Sequence, residues 1–473
     1  MYENPTMSVT SVLTKGFSST DESVKEPTAE TITPPKSPGL QSRELDSELL
    51  QGLYSDSVDA KIWGVALRAL FQAEPPKTYP EYTDLTGSGK YVDSEEAFWT
   101  SGFFPACLYL LYERRCRWPQ AANLSRPHLL KLKHACQWWS ESLHKEALRT
   151  DTHDLGFMIQ PWARVAWELD ADRRSYDTLI TAARSLASRY DERVGCMRSW
   201  DVCFTKRYHF DDPAKNYLVI IDNLMNLDLL YYASSLTSDD TFAEIATKHA
   251  TVTMQSHIRE DGSTCHVVDF DQETGAVRAQ ITNQGYSDTS CWSRGQAWAI
   301  VGFVQAYRWT KNPAFLDTST RLADYFTSRL TDDDVPYWDF DAPRPGPRDS
   351  SAAIIAIYGM LLIHEAQNAS YGTRDELPSQ HGIHASGHYL GVALRMLKAL
   401  LRDCMAPPAL FITSASNQHE DVYLGDAEES ILKHATINNY EFAPRKYSDH
   451  GLVYADYFFL LVGNKLLEMG LQI

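Results

Sequence analysis

The spacing of apolar residues along the chain predicts a helical protein. Apolar residues recur at helical intervals in five long segments, whereas strand-like alternation is confined to short stretches. The helical segments are residues 155–169, 219–233, 239–256, 296–309 and 314–330. We therefore expect an all-α architecture.

A repeated sequence ending divides the chain into units. At residues 189–201, 257–271 and 329–341 a predicted helix runs into an acidic turn and then a short extended aromatic piece. The endings lie roughly 70 residues apart and each unit holds two helices, so residues 46–473 have room for about six helical hairpins. Long, irregular loops are typical of ligand-binding loops, and they favour a closed (α/α)6 barrel over an open solenoid of helix pairs.

Residues 1–45 differ in composition from the rest of the chain. They are rich in Ser, Thr, Pro and Glu and contain no apolar run that could form a signal-peptide core, which predicts a disordered polar tail before a single barrel domain at 46–473. No stretch approaches the ~18 consecutive apolar residues of a membrane helix. These features predict a cytoplasmic protein.

The charge balance bears on possible partners. A formal net charge of −18, with no run of Lys or Arg to offset it, argues against nucleic acid and anionic membranes as partners. An anionic substrate would need local Arg, His or backbone N–H groups. The eight cysteines include no CxxC pair and no short-spaced Cys/His set, which disfavours structural zinc and a disulfide framework.

Several chemically reactive stretches fall where the first helix of a hairpin begins. They are residues 153–157, 222–226, 292–296 and 349–351. In a closed barrel these helix starts should converge. Helix N-termini carry unpaired N–H groups and partial positive charge, so a ring of them favours an anionic ligand despite the acidic composition.

Two aspartates within these stretches are candidates for acid/base chemistry. Asp154 precedes a Leu-Gly-Phe run, and Asp222 lies inside an apolar run from Leu218 to Met225. Either residue could instead be a helix N-cap that bonds first-turn amides. If both line one pocket, burial and mutual repulsion would raise the pKa of one of them, as a general acid for a glycoside-like substrate requires.

Aromatic and polar residues near these aspartates fit a sugar-binding wall. Arg294 lies between Trp292 and Trp298 in sequence, a mixture that a dry core would not tolerate without partners. Core packing remains the alternative for these indoles and for Trp99. His266 follows a cysteine, but no third metal ligand lies at a fitting spacing, so we interpret it as a substrate partner.

Together these motifs resemble the unsaturated glucuronyl hydrolases, family 88 of the glycoside hydrolases. The similarity covers nearly everything after the tail, except an insert at 371–388. It is carried by the blocks Phe98–Phe103, His153–Phe157, Ile221–Asn226, Gln284–Asp288, Cys291–Trp298, Val335–Pro343, Arg348–Ala353 and Tyr454–Phe458.

The resemblance implies an (α/α)6 barrel, no metal or organic cofactor, and an oligosaccharide substrate with a 4,5-unsaturated uronic acid at its non-reducing end. It implies that Asp222 is the acid/base and that Asp154 supports it. Arg294 or helix amides would pair with the substrate carboxylate. The implied pocket residues are Trp99, His153, His266, Gln284, Trp292, Arg294 and Trp298. An unsaturated rhamnogalacturonyl hydrolase and a catalytically silent carbohydrate-binding barrel are the alternatives.

Overall fold

Helices form the framework of this computed structural model, which describes residues 46–84, 86, 88–121, 127–371, 387–413, 420–424 and 428–471. The predicted tail and most of the 371–388 insert lie outside the described residues. The helices are α1 (Ser47–Leu53), α2 (Asp56–Leu70), α3 (Phe103–Arg117), α4 (Leu129–Ser140), α5 (Leu155–Met158), α6 (Gln160–Asp170), α7 (Arg173–Ala187), α8 (Leu227–Thr237), α9 (Asp240–Ser256), α10 (Ser293–Thr310), α11 (Pro313–Ser328), α12 (Ser350–Tyr371), α13 (His388–Asp403) and α14 (Val453–Glu468).

Short strands and 3-10 turns occupy the connections. The strands are β1 (Thr78–Thr83), β2 (Tyr91–Glu95), β3 (Tyr190–Asp191), β4 (Cys196–Met197), β5 (Cys203–Phe204), β6 (His209–Phe210), β7 (Tyr217–Ile220), β8 (Val267–Phe270), β9 (Val277–Ile281), β10 (Leu410–Thr413) and β11 (Glu420–Tyr423). The 3-10 turns are Pro119–Ala121, Glu141–Leu148 and Ile221–Asn226. The β7, β8 and β9 strands form an antiparallel sheet, and the others pair as two-stranded ribbons.

Two concentric layers of helices make up the barrel. The inner layer is α3, α6, α8, α10, α12 and α14, and the outer layer is α2, α4, α7, α9, α11 and α13. The inner ring closes because α14 packs on both α12 and α3, while an ion pair between Arg164 and Asp228 joins α6 to α8. The predicted (α/α)6 barrel is confirmed.

The α10–α11 hairpin shows how local sequence defines these elements. α10 ends at Thr310, and its C-cap residue Lys311 has a left-handed backbone (φ 56°) and donates its N–H to the Tyr307 carbonyl. Asn312 then caps α11 by accepting from the Ala314 N–H, and Pro313 occupies the first helical position, where no N–H is needed. The buried face of α11, which includes Phe315, packs toward the inner layer.

Two of the predicted helical segments are interrupted. The segment 155–169 breaks at Ile159, just before Pro161, whose missing N–H cannot continue the helical bonding. The segment 219–233 is helical only after residue 220, because Tyr217–Ile220 is a strand that pairs with Val267–Phe270. A run of apolar residues alone does not distinguish a buried strand from a buried helix.

None of the helices in the described part of the chain combines the length and apolar character needed to cross a bilayer.

Candidate active site

The N-terminal ends of the inner helices meet at one end of the barrel. Trp99, just before α3, has its ring 5.1 Å from that of Tyr454 at the start of α14. The Tyr454 ring in turn lies 5.4 Å from the guanidinium carbon of Arg294 on α10. Both Arg294 and Asp154 act electrostatically on the carboxyl group of Asp222, so the two aspartates lie at this same end. We call this end, defined by these five residues, the mouth.

Asp222 is held in the mouth by backbone and side-chain contacts of its neighbours. The Ile221 N–H donates to the His266 carbonyl at 2.9 Å, which extends the pairing of β7 with β8 into the 3-10 turn. The next residue, Asn223, is buried and its amide donates to the Ser199 hydroxyl at 3.3 Å. Asp222 thus sits on a rigid backbone at the end of a buried strand.

The environment of Asp222 favours its protonated form. Burial is the main cause, and together with the negative charge of Asp154 it raises the pKa of the carboxyl group to about 7. Coulombic interactions with Arg294 and His153 oppose this shift without cancelling it. One carboxyl oxygen, Oδ1, is buried and has no hydrogen-bond partner among the described residues.

Asp154 has the opposite tendency. Burial by itself would raise its pKa, but the neighbouring His153, the Thr152 hydroxyl and Arg149 together hold it below its usual value. Nε2 of the fully buried His153 lies 3.2 Å from Oδ1, and the Thr152 hydroxyl donates to Oδ2 at 2.7 Å. Near neutral pH the mouth therefore pairs a carboxyl group that is still partly protonated, Asp222, with one that is ionised, Asp154.

Helix capping does not account for either aspartate. Asp154 occupies the N-cap position of α5 but makes no side-chain bond to a first-turn amide. Asp222 lies within its 3-10 turn, which also has no side-chain cap. The capping alternative is excluded for both residues.

A close backbone approach joins the two carboxylate-bearing segments. Gly156, two residues after Asp154, faces Asn226, four residues after Asp222. A Cβ atom at Gly156 would lie 2.7 Å from Cα of Asn226 and 2.4 Å from its Oδ1, too close without movement of the backbone. The side-chain amide nitrogen of Asn226 (Nδ2) also lies 3.5 Å from Nδ1 of His153. The separation of the two aspartates thus depends on a glycine.

His266 and Trp292 place unused donors near Arg294. The His266 ring accepts the Asn283 N–H at Nδ1 (3.1 Å), so its proton is on Nε2. Burial, helped by Arg294, lowers the pKa of His266 to about 3, which keeps the ring neutral. Its ring lies 4.6 Å from that of Trp292. Both His266 Nε2 and Trp292 Nε1 are buried without a partner in the described part of the chain.

Arg294 is a fixed part of the wall. Its Nη1 donates to Oδ2 of Asp349 at 2.9 Å and to the Thr436 carbonyl, and Nη2 donates to the Ile437 carbonyl at 2.6 Å. Both Arg294 and Asp349 are almost completely buried. These contacts do not support the expectation that Arg294 is a free cation for a substrate carboxylate, because Asp349 already matches its charge.

The remaining predicted pocket residues occupy different depths. Trp99 is half-buried at the rim, where its ring also lies 5.5 Å from that of Phe157. Gln284 is half-buried and donates to the Ile437 carbonyl at 3.2 Å. Trp298 is fully buried against Phe157 and Phe458, which favours the core-packing alternative for this indole.

Some residues of the mouth were not predicted as site residues. Tyr454 lies in the first turn of a long apolar helix, and its hydroxyl group is buried without a hydrogen-bond partner in the described residues. Thr152 bonds Asp154 and Asn226 lies beside His153, yet neither of them was assigned a role of its own from the sequence. In the described ranges no group of three or more His, Cys, Asp and Glu side chains could hold a metal ion.

Comparison with known proteins places this site in context. No protein-family model matches the chain. The unsaturated glucuronyl hydrolase of Formosa agariphila is 32% identical over 367 residues, which cover 76% of this chain and 78% of that protein.

Solved structures agree in fold. An unsaturated glucuronyl hydrolase specific for heparin superposes with a TM-score of 0.71 at 26% identity, covering 91% of this chain and all of that one. A variant of such an enzyme, solved with dGlcA-Glc-Rha-Glc, superposes with a TM-score of 0.67 at 26% identity over 88% of this chain and 97% of that chain.

Proposed function

The chain belongs to the unsaturated glucuronyl hydrolase family, and we propose that Asp222 is the acid and base of its reaction, with Asp154 as the supporting carboxylate. It is a glycoside hydrolase that acts on the unsaturated oligosaccharides left by polysaccharide lyases. The observation that carries the residue assignment is the pair of adjacent carboxyl groups with opposite pKa shifts.

The first step uses the protonated state of Asp222. Its substrate is an enol ether, with a double bond between C4 and C5 and the ring oxygen on C5. Asp222 donates its proton to C4, and the electrons of the double bond form the new C–H bond. The positive charge that develops at C5 is shared with the ring oxygen, while Asp222 becomes a carboxylate.

The second step regenerates the acid. A water molecule adds to C5 and gives its proton to the Asp222 carboxylate, so the net change is the addition of one water. The product is a hemiketal at C5. It opens to a ketone, and the hemiacetal this leaves at C1 then releases the rest of the saccharide, so the former uronate leaves as a keto-deoxyuronate.

Asp154 contributes charge rather than a proton. Its ionised form raises the pKa of Asp222 and so keeps the acid protonated near neutral pH. It also offers acceptor oxygens to sugar hydroxyls, oriented by the 2.7 Å bond from Thr152 and by His153. Trp99 at the rim and Trp292 deeper inside provide aromatic surface for the pyranose ring. Gln284 lies beside Arg294, with which it shares the Ile437 carbonyl.

The test follows the ultraviolet absorbance of the enol ether in an unsaturated chondroitin disaccharide. Wild type should remove the signal, and Asp222→Asn should be slower by about 10³-fold or more, because amide nitrogen cannot supply the proton. Asp177→Asn is the matched control, since it makes the same chemical change at a side chain that is 62% exposed on α7. It should keep wild-type activity.

Equal rates for wild type and Asp222→Asn would rule out Asp222 as the acid. An unsaturated rhamnogalacturonan disaccharide belongs in the same panel. Loss of its signal in preference to the chondroitin signal would assign the alternative substrate specificity to the same mechanism.

A further inference from the structure

The uronate carboxylate of the substrate needs a partner other than Arg294. Under the proposed function this carboxylate is attached to C5, next to the carbon that Asp222 protonates. Nη1 and Nη2 of Arg294 are bonded to Asp349 and to the carbonyls of residues 436 and 437. Moving the guanidinium toward a ligand would leave Asp349 buried without its counter-ion, which is costly.

Tyr454 lies where such a partner is needed. The guanidinium carbon of Arg294 is 4.6 Å from the Trp292 ring and 5.4 Å from the Tyr454 ring, so Arg294 contacts both aromatic residues. Tyr454 is fully buried, and its hydroxyl has no hydrogen-bond partner among the described residues. The charge of Asp222 reaches this hydroxyl, which places the two groups in one site.

Three of the unpartnered polar atoms in the mouth share one chemical character. Tyr454 O–H, Trp292 Nε1–H and His266 Nε2–H are neutral donors, and each is buried within the described structure without an acceptor. A buried donor without an acceptor costs free energy, so this set is suited to a ligand that brings acceptors. A carboxylate brings two oxygen atoms with several lone pairs and no donor of its own.

We propose that the Tyr454 hydroxyl donates to the uronate carboxylate of the substrate, alongside Trp292 and His266, and so selects for an ionised acid at C5. Burial and the nearby carboxylates of Asp349 and Asp222 raise the pKa of Tyr454, which keeps the hydroxyl a donor at any working pH. The positive charge of Arg294, next to the Trp292 and Tyr454 rings, would also attract the carboxylate without a direct hydrogen bond. The inference rests on the proposed function.

A purely structural role for Tyr454 makes a different prediction. Its ring packs on Trp99 at 5.1 Å and on Phe103 at 5.9 Å, contacts that phenylalanine would keep. If packing were its only role, Tyr454→Phe would affect all substrates equally. A hydrogen bond to the carboxylate instead matters only when the substrate carries that charge.

The experiment compares an unsaturated disaccharide with its uronate methyl ester. For Tyr454→Phe, kcat/KM on the free acid should fall by about 10- to 100-fold, the range for losing a hydrogen bond to a charged group, while kcat/KM on the ester should change by less than ~3-fold. The preference of the enzyme for acid over ester should shrink accordingly. Tyr457→Phe removes the same atom one turn further along α14 and should leave both rates unchanged.

Each outcome decides between the hypotheses. An unchanged acid-to-ester ratio in Tyr454→Phe, with wild type active, overturns this inference alone. A wild type inactive on every unsaturated disaccharide overturns the proposed function and the inference with it.

Binding of the free acid to Asp222→Asn and to Asp222→Asn with Tyr454→Phe, followed by tryptophan fluorescence, gives a second readout without turnover. Equal affinities of these two proteins would also overturn it.

Discussion

Two regions of the barrel differ in how their polar side chains are paired. Away from the mouth, a cavity of about 440 Å³ that reaches the C-terminal ends of α6 and α14 is lined in part by charged residues that pair with one another. Arg164 bonds Glu168 at 2.8 Å and Asp228 at 3.2 Å, while Lys465 bonds Glu468 at 2.7 Å. We call this region, defined by these five residues, the base.

At the mouth, polar atoms are buried without partners. Oδ1 of Asp222, Nε2 of His266, Nε1 of Trp292 and the Tyr454 hydroxyl all lack a hydrogen bond in the described residues. Each such atom destabilises the fold, whereas the paired charges of the base help to hold the helices together. The difference indicates that the base serves structure and that the mouth is built for a ligand.

A raised pKa alone does not distinguish a structural carboxyl group from one in a ligand site. Asp456 is also buried, and its pKa is also raised to about 7, mainly by burial. It accepts hydrogen bonds from the Tyr91 hydroxyl at 2.7 Å and from the amides of Ile431 and Leu432 at 2.9 and 3.1 Å. Asp456 is therefore a structural carboxyl group. Asp222 differs from it because one of its carboxyl oxygens has no hydrogen-bond partner among the described residues.

The largest expected effect is at Asp222, where activity and stability should move in opposite directions. The folded pKa of about 7 exceeds the ordinary 3.8, so the stability that this group contributes is greatest at low pH. It is lost as pH rises through about 7. Asp222→Asn removes that cost and should raise the free energy of unfolding near pH 8, by an amount on the order of 4 kcal/mol at most.

Urea denaturation of wild type and Asp222→Asn across this pH range measures the effect. The gain should shrink toward pH ~4 and vanish below about pH 3, where wild-type Asp222 is protonated in both the folded and the unfolded state. Asp456→Asn is the comparison, because its carboxylate oxygens accept from backbone amides that an Asn side chain satisfies less well. A loss of stability for Asp222→Asn at about pH 8 would contradict the view that the mouth is destabilised for function.

The second prediction concerns the base. Asp228 accepts bonds from the Gln160 amide and the Trp309 indole, both at 2.6 Å, and from Arg164. Asp228→Ala would leave all three donors without this acceptor and should lower the free energy of unfolding by about 2 to 4 kcal/mol. If the base serves structure alone, kcat/KM should stay within about threefold of wild type.

The outcome that would break the comparison is a loss of activity in Asp228→Ala with no loss of stability. Such a result would make the base part of the functional site. Denaturation and kinetics on the same preparation separate the two possibilities.

The helical architecture could be predicted from local sequence, and the sequence also singled out the two aspartates that the structure brings together in the mouth. Helical spacing and repeated hairpin endings report which face of each helix is buried, and those signals are local. They failed at 219–220, where Val219 and Ile220 form a strand because β8 lies beside them. Periodicity could not distinguish a strand from a helix at these residues, because a continuous run of apolar residues fits either element.

The partners of the site residues could not be predicted in this way. Arg294 is matched by Asp349, 55 residues later, and by carbonyls more than 140 residues away. In the sequence, Tyr454 resembles the other apolar residues near the start of a helix. Its place in the mouth follows only from the packing of α14 against α3. Contacts made by ring closure depend on the whole fold, and no short spacing encodes them.

The third prediction tests the coupling of the two carboxyl groups. Activity should fall as pH rises through about 7, because the acid must be protonated. Asp154→Asn removes the negative charge that raises the pKa of Asp222, so this falling limb should move to lower pH. At neutral pH kcat should drop by about 10- to 100-fold. A limb that stays in place or moves to higher pH would show that Asp154 does not act on the acid.

The smallest expected effect is at Thr152, which separates support of Asp154 from catalysis itself. Its hydroxyl donates to Oδ2 of Asp154 at 2.7 Å and is one cause of the lowered pKa of that carboxyl group. Thr152→Val removes this bond, and also the bond that the Asp154 N–H donates to the Thr152 hydroxyl at 3.1 Å, at nearly constant shape. Asp154 stays ionised at neutral pH, so kcat should fall only by about 2- to 5-fold, in line with a net hydrogen-bonding loss of ~0.5 to 1 kcal/mol.

The pH profile of Thr152→Val should carry the clearer signal. Weaker stabilisation of the ionised Asp154 raises its pKa, so the acidic limb of activity should move to higher pH while the limb set by Asp222 stays in place. Thr251→Val deletes a hydroxyl that bonds the Thr247 carbonyl on the outer helix α9, and it should change neither limb. A shift of both limbs in Thr152→Val would mean that Thr152 acts on Asp222 as well, and that the mouth titrates as one unit.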